Sequence, residues 1–408
     1  RPEQTTIADL FKTAGHATGA IGKWHLGLGD QTGTQDWNGV VEPGPRDLGF
    51  DYSYLMAATG DRVPCVWMEN QKVANYDPSA PIEVSYEKPF PGEPLGKDHP
   101  ELLTKLKPSP NHGHDQAIVN GISRIGYMKG GGKALWQDEY IADSIAAKAT
   151  RFIDQHKSEP FFLYVGTNDI HVPRFPNPKF AGKSGMGYRG NAILQFDWTV
   201  GEILDALDKA GISDQTLVIL TSDNGPVVDD GYADQAVALL GDHQPWGHFR
   251  GGKYSSFEAG TRVPFIVNWP GQVKPGVSDA LFSHIDLFAS MAKLAQVEYD
   301  GQAGIDSHDF LQTLLGNETK GREYVIEAAG SRAVSDGEWK YIAPSDGPAY
   351  NKLTNTELGN SKEEQLYCLK EDPGEQVNVA HQYPDKVKAF QAILEREKQT
   401  GYKESWKR

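Results

Sequence analysis

A chain of 408 residues is long enough to bury a full hydrophobic core, which predicts one large domain with a smaller companion. Its formal net charge of -15, from 55 acidic against 40 basic side chains, argues against a nucleic acid or an anionic membrane surface as partner, while local Lys, Arg and His can still hold a small anion. Two cysteines, Cys65 and Cys368, are too few for a disulfide framework and match no metal spacing, and no apolar run approaches the ~20 residues of a transmembrane helix.

The first thirty residues read as helix, strand and loop. Ile7, Leu10, Phe11 and Ala14 keep helical spacing after Thr5-Thr6, and Gly15 is placed to end the helix. Ala17 to Ile21 then predicts a strand, followed by Gly22-Lys23-Trp24-His25-Leu26-Gly27. A cation and an imidazole two residues apart at a strand end would share one face, so Lys23 and His25 are candidate site residues; the plain alternative is a solvated turn around a packed tryptophan. From Gly29 to about Lys133 the periodicity fades into a long excursion, the kind of loop that carries specificity on a rigid scaffold. Within it stand Thr59-Gly60-Asp61-Arg62 and Asn111-His112-Gly113-His114-Asp115. Asp61, Arg62, His112, His114 and Asp115 suit hydrogen bonds to sugar hydroxyls, or simple loop capping, better than a zinc site.

Trp136 to His156 returns to helical spacing, and Phe161 to Val165 is an apolar run ending in Gly166-Thr167-Asn168-Asp169-Ile170-His171. His171 therefore lies just past a strand end, where Lys23 also lies. Asn191 to Gly211 predicts a second amphipathic helix, feeding the run Leu217-Val218-Ile219-Leu220. Strand, helix, strand in this order is a crossover unit, so the expected fold class is α/β, with a mainly parallel central sheet and helices on both faces. The Leu217 run ends in Thr221-Ser222-Asp223-Asn224-Gly225-Pro226, oxygen donors at the carboxyl end of a strand, where open α/β sheets bind ligands. Further on lie Gly251-Gly252-Lys253-Tyr254 and Gly260-Thr261-Arg262-Val263-Pro264. A helix follows from about Ser283 to Leu294. Beyond Leu311, short alternating runs at Tyr324-Val325-Ile326, Arg332-Ala333-Val334 and Trp339-Lys340-Tyr341-Ile342, with a last helix from about Pro384 to Thr400, predict a smaller α+β domain with an antiparallel sheet over 311–408, after a catalytic domain over 1–310.

Ile21 to Gly27, Asp169-Ile170-His171-Val172-Pro173, Ser222-Asp223-Asn224-Gly225, and Gly252-Lys253 with Gly260 to Pro264 resemble the motifs of the type I, formylglycine-dependent sulfatases of the alkaline phosphatase superfamily. The tail adds Leu366-Tyr367-Cys368-Leu369, Asp372-Pro373-Gly374-Glu375 and Asn378, similar to that family's C-terminal signature, and Asp229 to Tyr232 with Gly241-Asp242-His243 look most like its bacterial carbohydrate sulfatases. The resemblance implies that Asp223 and Asn224 are ligands of Ca2+, or of Mg2+ in its place, and that Lys23 and Lys253 hold the sulfate oxygens. It implies that His25 helps the formylglycine hydrate shed sulfate and that His171, with Lys253, protonates the departing oxygen. The expected substrate is a sulfated saccharide and the expected location periplasmic or secreted.

The family nucleophile, a Cys or Ser in Cys/Ser-x-Pro-Ser-Arg, does not occur in the numbered chain. Cys65 is followed by Val66-Trp67-Met68, and it lies on the wrong side of Lys23. The formylglycine and two further metal aspartates are therefore expected in a segment upstream of Arg1, which this chain would need as its partner. Two other readings compete: a phosphomonoesterase or phosphonate hydrolase of the same superfamily, and a non-catalytic carbohydrate-binding homologue. Relative rates on nitrophenyl sulfate and phosphate separate the first; sugar binding without sulfate release would mark the second.

Overall fold

The computed structural model describes residues 2–31 and 33–400, with the side chains of 399 and 400 left out. Contacts group the chain into two compact units: one takes the chain up to Thr216 with Asp230–Gly241 and Ile285–Leu311, the other Leu217–Asp229, Asp242–His284 and the chain from Gln312 onward. These units do not follow a single cut between 310 and 311, because the second also draws in two earlier segments.

The first unit is built on helix α1 (Ile7–Thr13), strands β1 (Ala17–Lys23), β2 (Tyr52–Met56), β3 (Trp67–Glu69) and β4 (Lys72–Val73), helix α2 (Ile141–His156), strand β9 (Phe161–Gly166), helix α3 (Gly187–Ala210) and helix α4 (Leu287–Ala295). Between them the long excursion carries two small ribbons, β5 (Glu83–Ser85) with β8 (Tyr127–Lys129) and β6 (Ile118–Val119) with β7 (Ile122–Ser123). Thr6 caps α1 in a reciprocal capping box with Asp9, as the Thr5-Thr6 start predicts. The main sheet runs β4-β3-β2-β1-β9, with β1 central and parallel to both β2 and β9. Its last two pairings are antiparallel, so the sheet is mixed rather than mainly parallel. For the β3–β4 pair the cause is local: Asn70 and Gln71, both at positive φ (48° and 67°), turn β3 straight into β4 as a two-residue hairpin.

Helices cover both faces, and the register shows it. Gly19 pairs with Leu163 and lies beneath Phe152 of α2, whereas Phe162, one residue back and so on the opposite face, stacks on Phe11 of α1 at 4.8 Å. Ala20, Ile21, Leu55 and Met56 are buried between these layers, with Ile145 and Ala149 of α2 in the same cluster. Leu10 of α1 packs in turn on Phe288 and Ala292 of α4.

In the second unit, β10 (Val218–Thr221) pairs antiparallel with β11 (Phe265–Asn268). The expectation that the Leu217 run continues the main sheet as a fully buried strand is not met: its residues are half-buried and their hydrogen bonds go to β11. Strands β12 (Val325–Ala329), β13 (Ser331–Ser335) and β14 (Trp339–Ile342), then β15 (Tyr350–Asn351) with β16 (Thr356–Glu357), and β17 (Gln365–Cys368) follow. β12-β13-β14-β17 form the expected antiparallel sheet, and α5 (Pro384–Thr400) lays Val387, Phe390 and Leu394 against Val334, Tyr341 and Leu366. Among the described residues no helix is long and apolar enough to cross a membrane.

Gly22 has φ +99°, and a Cβ there would collide with the carbonyl oxygen of Gly166 on the paired strand. Gly22→Ala is expected to cost about 3 kcal/mol or more, read as a lower urea midpoint at unchanged m-value; a loss under ~1 kcal/mol would contradict this packing.

Candidate functional site

β1 delivers the first candidates. Lys23 is its last residue and half-buried, Trp24 is buried with its indole N–H donating to the Gly27 carbonyl at 2.9 Å, and His25 is exposed at φ +53°. The period-two argument for a shared face stops at Lys23, because the strand ends there and the backbone turns left-handed at His25.

β9 delivers the second set. In the loop behind it Asn168 and Asp169 are buried, each with one side-chain oxygen lacking a hydrogen-bond partner. Asp169 accepts from Gln195 at 3.0 Å, and burial pushes its carboxyl up to about 6. His171, half-buried, donates from Nδ1 to the Val172 carbonyl at 2.7 Å. Arg174 is buried; it donates to the Ile170 carbonyl at 3.2 Å and to Asp234 at 2.8 Å, which closes the loop on itself. Arg189 of α3 lies beside this pair, and burial followed by the Arg174 charge lowers it to about 10.

Five residues of the long excursion were expected either to bond sugar hydroxyls or simply to cap the loop. Asp61 and His114 are buried and turned to each other, His114 Nε2 donating to Asp61 Oδ2 at 3.1 Å. Thr59 donates to the other Asp61 oxygen. Arg62, His112 and Asp115 are half-buried, and the His112 ring stands 6.4 Å from that of His114. Burial opposes ionisation of Asp61, but the His114 hydrogen bond and the charges of His171 and Arg62 prevail and hold its pKa below the usual carboxylate value. Two residues not anticipated from the sequence organise this region: Arg124 and Asp138, both buried, pair at 2.8 Å, and Arg124 also donates to the Gly60 carbonyl. Cys65, buried nearby, has its thiol pushed up to about 12 by burial, which removes it as a nucleophile.

The second unit holds the remaining candidates on two joined loops. Asp223 is exposed just past β10. Asn224, half-buried, donates its amide N–H to the Gly225 carbonyl at 2.9 Å, leaving its side-chain oxygen as acceptor. His284, absent from the sequence-based candidates, bonds Thr221 at 2.8 Å and feels the Asp223 charge. The Gly225 amide donates to Gly260 at 2.9 Å and that of Lys253 to Pro226 at 2.9 Å, so the loop bearing Asp223 is laced to the segment 250–262. Both donor residues are hard oxygen ligands suited to Ca2+ or Mg2+. Two such residues would meet only part of the six to eight oxygens Ca2+ takes, and among the described residues no group of three His, Cys, Asp or Glu gathers into a metal site.

The tail signature has a structural use. Glu375 accepts the amide of Glu258 at 2.7 Å, and Arg250 donates to the Glu375 carbonyl at 2.6 Å and to Glu357 at 2.6 Å. Fully buried Lys340 binds Glu258 at 2.9 Å and Glu327 at 2.6 Å, and Arg262 binds Glu258 at 2.9 Å. Lys253 thus sits in a segment held at one end by the part-exposed Arg250–Glu357 pair and at the other by the buried Lys340–Glu258 pair. Burial, joined by the neighbouring carboxylates, pushes Glu375 up to about 8 against Lys340, from an ordinary 4.5. Its folded-state pKa is raised, so the folded protein binds the extra proton, and stability falls as pH rises from about 4.5 to about 8. Glu375→Gln is expected to flatten this slope, removing a loss of a few kcal/mol across that window; chemical denaturation at pH 5 and pH 8 measures it, and an unchanged slope would refute it.

The comparisons with known proteins agree with the motif resemblance. The chain is 54% identical over 392 residues to an N-acetylgalactosamine-6-O-sulfatase of Bacteroides thetaiotaomicron, covering 96% of this chain and 76% of that protein. It is 28% identical over 413 residues to human arylsulfatase A, covering 96% and 70%. A solved structure reported with the metabolism of multiple glycosaminoglycans by Bacteroides thetaiotaomicron superposes with a TM-score of 0.95 at 53% identity, over 98% of this chain and 83% of that one. With the sulfatase family model matching residues 1–297, the chain belongs to the sulfatase family.

Proposed function

We propose that this sulfatase removes the 6-O-sulfate from N-acetylgalactosamine in a sulfated saccharide. The likeness to the N-acetylgalactosamine-6-O-sulfatase, across 96% of the chain, carries the reading. The residues supply chemistry of the required kinds. A sulfate monoester needs its negative charge neutralised and its leaving oxygen protonated. Lys23 and Lys253 are the cations proposed to hold the sulfate oxygens, with Asp223 and Asn224 giving oxygen ligands to Ca2+, or Mg2+ in its place. His171 is the proposed general acid: a carbonyl only accepts, so Nδ1 carries its hydrogen and Nε2 is the nitrogen left to deliver a proton to the sugar oxygen. His25 is proposed to assist departure of sulfate from the nucleophile. When bound, the family's metal supplies positive charge at the sulfate, and its formylglycine supplies the nucleophilic oxygen. A periplasmic or secreted location goes with a polymeric substrate of this kind.

The test is a comparison of sulfate release by the full-length protein from 6-sulfated N-acetylgalactosamine, its 4-sulfated isomer, a steroid sulfate and nitrophenyl phosphate. The first is expected to exceed the others by ~100-fold or more in kcat/KM. Dominant phosphate release, or preference for the steroid, would sink the reading. Lys253→Ala is expected to lower kcat/KM by about 100-fold or more, since an anion-stabilising cation is lost. Chelation should abolish turnover and added Ca2+ restore it; full activity after exhaustive chelation would exclude the proposed role of Asp223 and Asn224.

A further inference from the structure

The face that α3 buries is partly polar. Asn191, Gln195 and Thr199 recur every fourth residue, so they form one line along the helix, and all three are buried, Gln195 at 5% and Thr199 at 0% exposed. Buried amides and hydroxyls are costly unless bonded, so their partners show what the line holds. Asn191 accepts the Ser184 amide at 3.1 Å. Thr199 donates to the Gln195 carbonyl at 3.0 Å, one turn back on its own helix, and reaches Asp169 at 3.5 Å.

Gln195 makes a bridge that neither neighbour makes. Its Nε2 donates to Asp169 Oδ1 at 3.0 Å, and its Oε1 accepts the Asn177 amide at 2.8 Å. One side-chain amide therefore joins the two ends of the loop 169–177, and His171 lies between them. Asp169 and Asn177 are themselves buried, and the second carboxylate oxygen of Asp169 meets no partner, so Gln195 is the short tie at the first end. Asn177 carries the bonding on to Asp143 of α2 at 3.1 Å, whose charge Lys179 matches at 2.9 Å. Within the loop Arg174 binds the Ile170 carbonyl and Asp234, and His171 bonds the Val172 carbonyl. These inner bonds shape the loop, whereas the two bonds of Gln195 set it against α3. A reacting group misplaced by about 1 Å can cost on the order of a hundredfold in rate.

We propose that Gln195 is a positioning residue for the sulfatase reaction: by bridging Asp169 and Asn177 it holds the loop of His171 where the imidazole delivers its proton, a role that rests on His171 being the general acid. Gln195 acts through the loop and not on the substrate.

The chemistry of the bridge sets the test, made on the full-length enzyme with whichever sugar sulfate it turns over fastest. Gln195→Met keeps the volume and removes both bonds; kcat is expected to fall about tenfold to a hundredfold with KM within about twofold. Gln195→Glu keeps the shape but sets a carboxyl group against Asp169. Two buried carboxylates in contact share one proton, and with that proton the introduced group can donate to Asp169 and accept from Asn177 as the amide does. At higher pH the proton leaves and the two charges repel. Asp143, the other carboxylate near Asp169, keeps its Lys179 partner in the variant. The kcat of Gln195→Glu relative to the unaltered enzyme is therefore expected within about threefold at pH 5 and lower by about tenfold or more at pH 9, counted per folded molecule by near-ultraviolet circular dichroism. Gln195→Met within about twofold of the unaltered kcat, no recovery of Gln195→Glu at pH 5, or a loss at pH 9 that follows the folded fraction alone would each overturn the proposal. Should Gln195→Met not fold, the pH ratio of Gln195→Glu decides by itself. His171→Ala separates the two roles: if it alone loses kcat, Gln195 is rejected and the acid role stands, and if it keeps kcat, both fall.

Discussion

The contact on which the first unit depends is the close approach of two backbones at the carboxyl ends of β1 and β9. Gly22 and Gly166 face each other with no room for a Cβ on either, Gly22 against the Gly166 carbonyl and Gly166 against that of Lys23. Parallel strands this close at their ends release their following loops side by side. Lys23 to His25 therefore emerge next to Asn168 to His171, and the chemistry of both loops is set by a register that two glycines permit. Any larger residue would part the strands where the functional groups leave them.

The segments that carry function are irregular, and buried ions hold them where a helix or strand would otherwise satisfy the backbone. Arg124 with Asp138 secures the turn of Asp61, Arg174 with Asp234 secures the loop of His171, and Lys340 with Glu258 secures the segment of Lys253. In two of these the guanidinium also binds a loop carbonyl, at Gly60 and at Ile170. Such pairs cost desolvation and add little net stability, yet losing one partner typically costs about 3–5 kcal/mol, because a charge is left buried alone. They favour one arrangement of a loop over its alternatives.

Local pattern made much of the fold legible. Helical spacing located α1, α2 and α5, alternation located the antiparallel strands after Val325, and Gly211 marked the end of α3 at φ +71°. The same reasoning misassigned β10, since an apolar run says that a segment wants burial but not which neighbour supplies it. In the site, polar residues at strand ends are what singled out Lys23, His171, Asp223 and Asn224 as candidates, and the structure places each of them at or just past a strand end. That reasoning did not foresee that Asp61 and His114 are buried and bonded to each other, because burial of a polar pair 53 positions apart leaves no local trace. Arg124, Asp138 and His284 went unnoticed for the same reason: nothing within a few residues of each marks its partner.

By itself, then, the amino-acid sequence determined the α/β class, the order of most elements and the motifs that mark a sulfatase, since these follow from periodicity and from short runs whose members act together. Only the tertiary structure decided that the main sheet is mixed, that Glu375 from the tail caps the segment bearing Lys253, and that Asp61 is buried against His114. Each of these depends on groups distant in sequence meeting in space. Whether such a group stays solvated or is buried against a partner is fixed by the cost of desolvating it, and that cost exists only once the chain has folded around it.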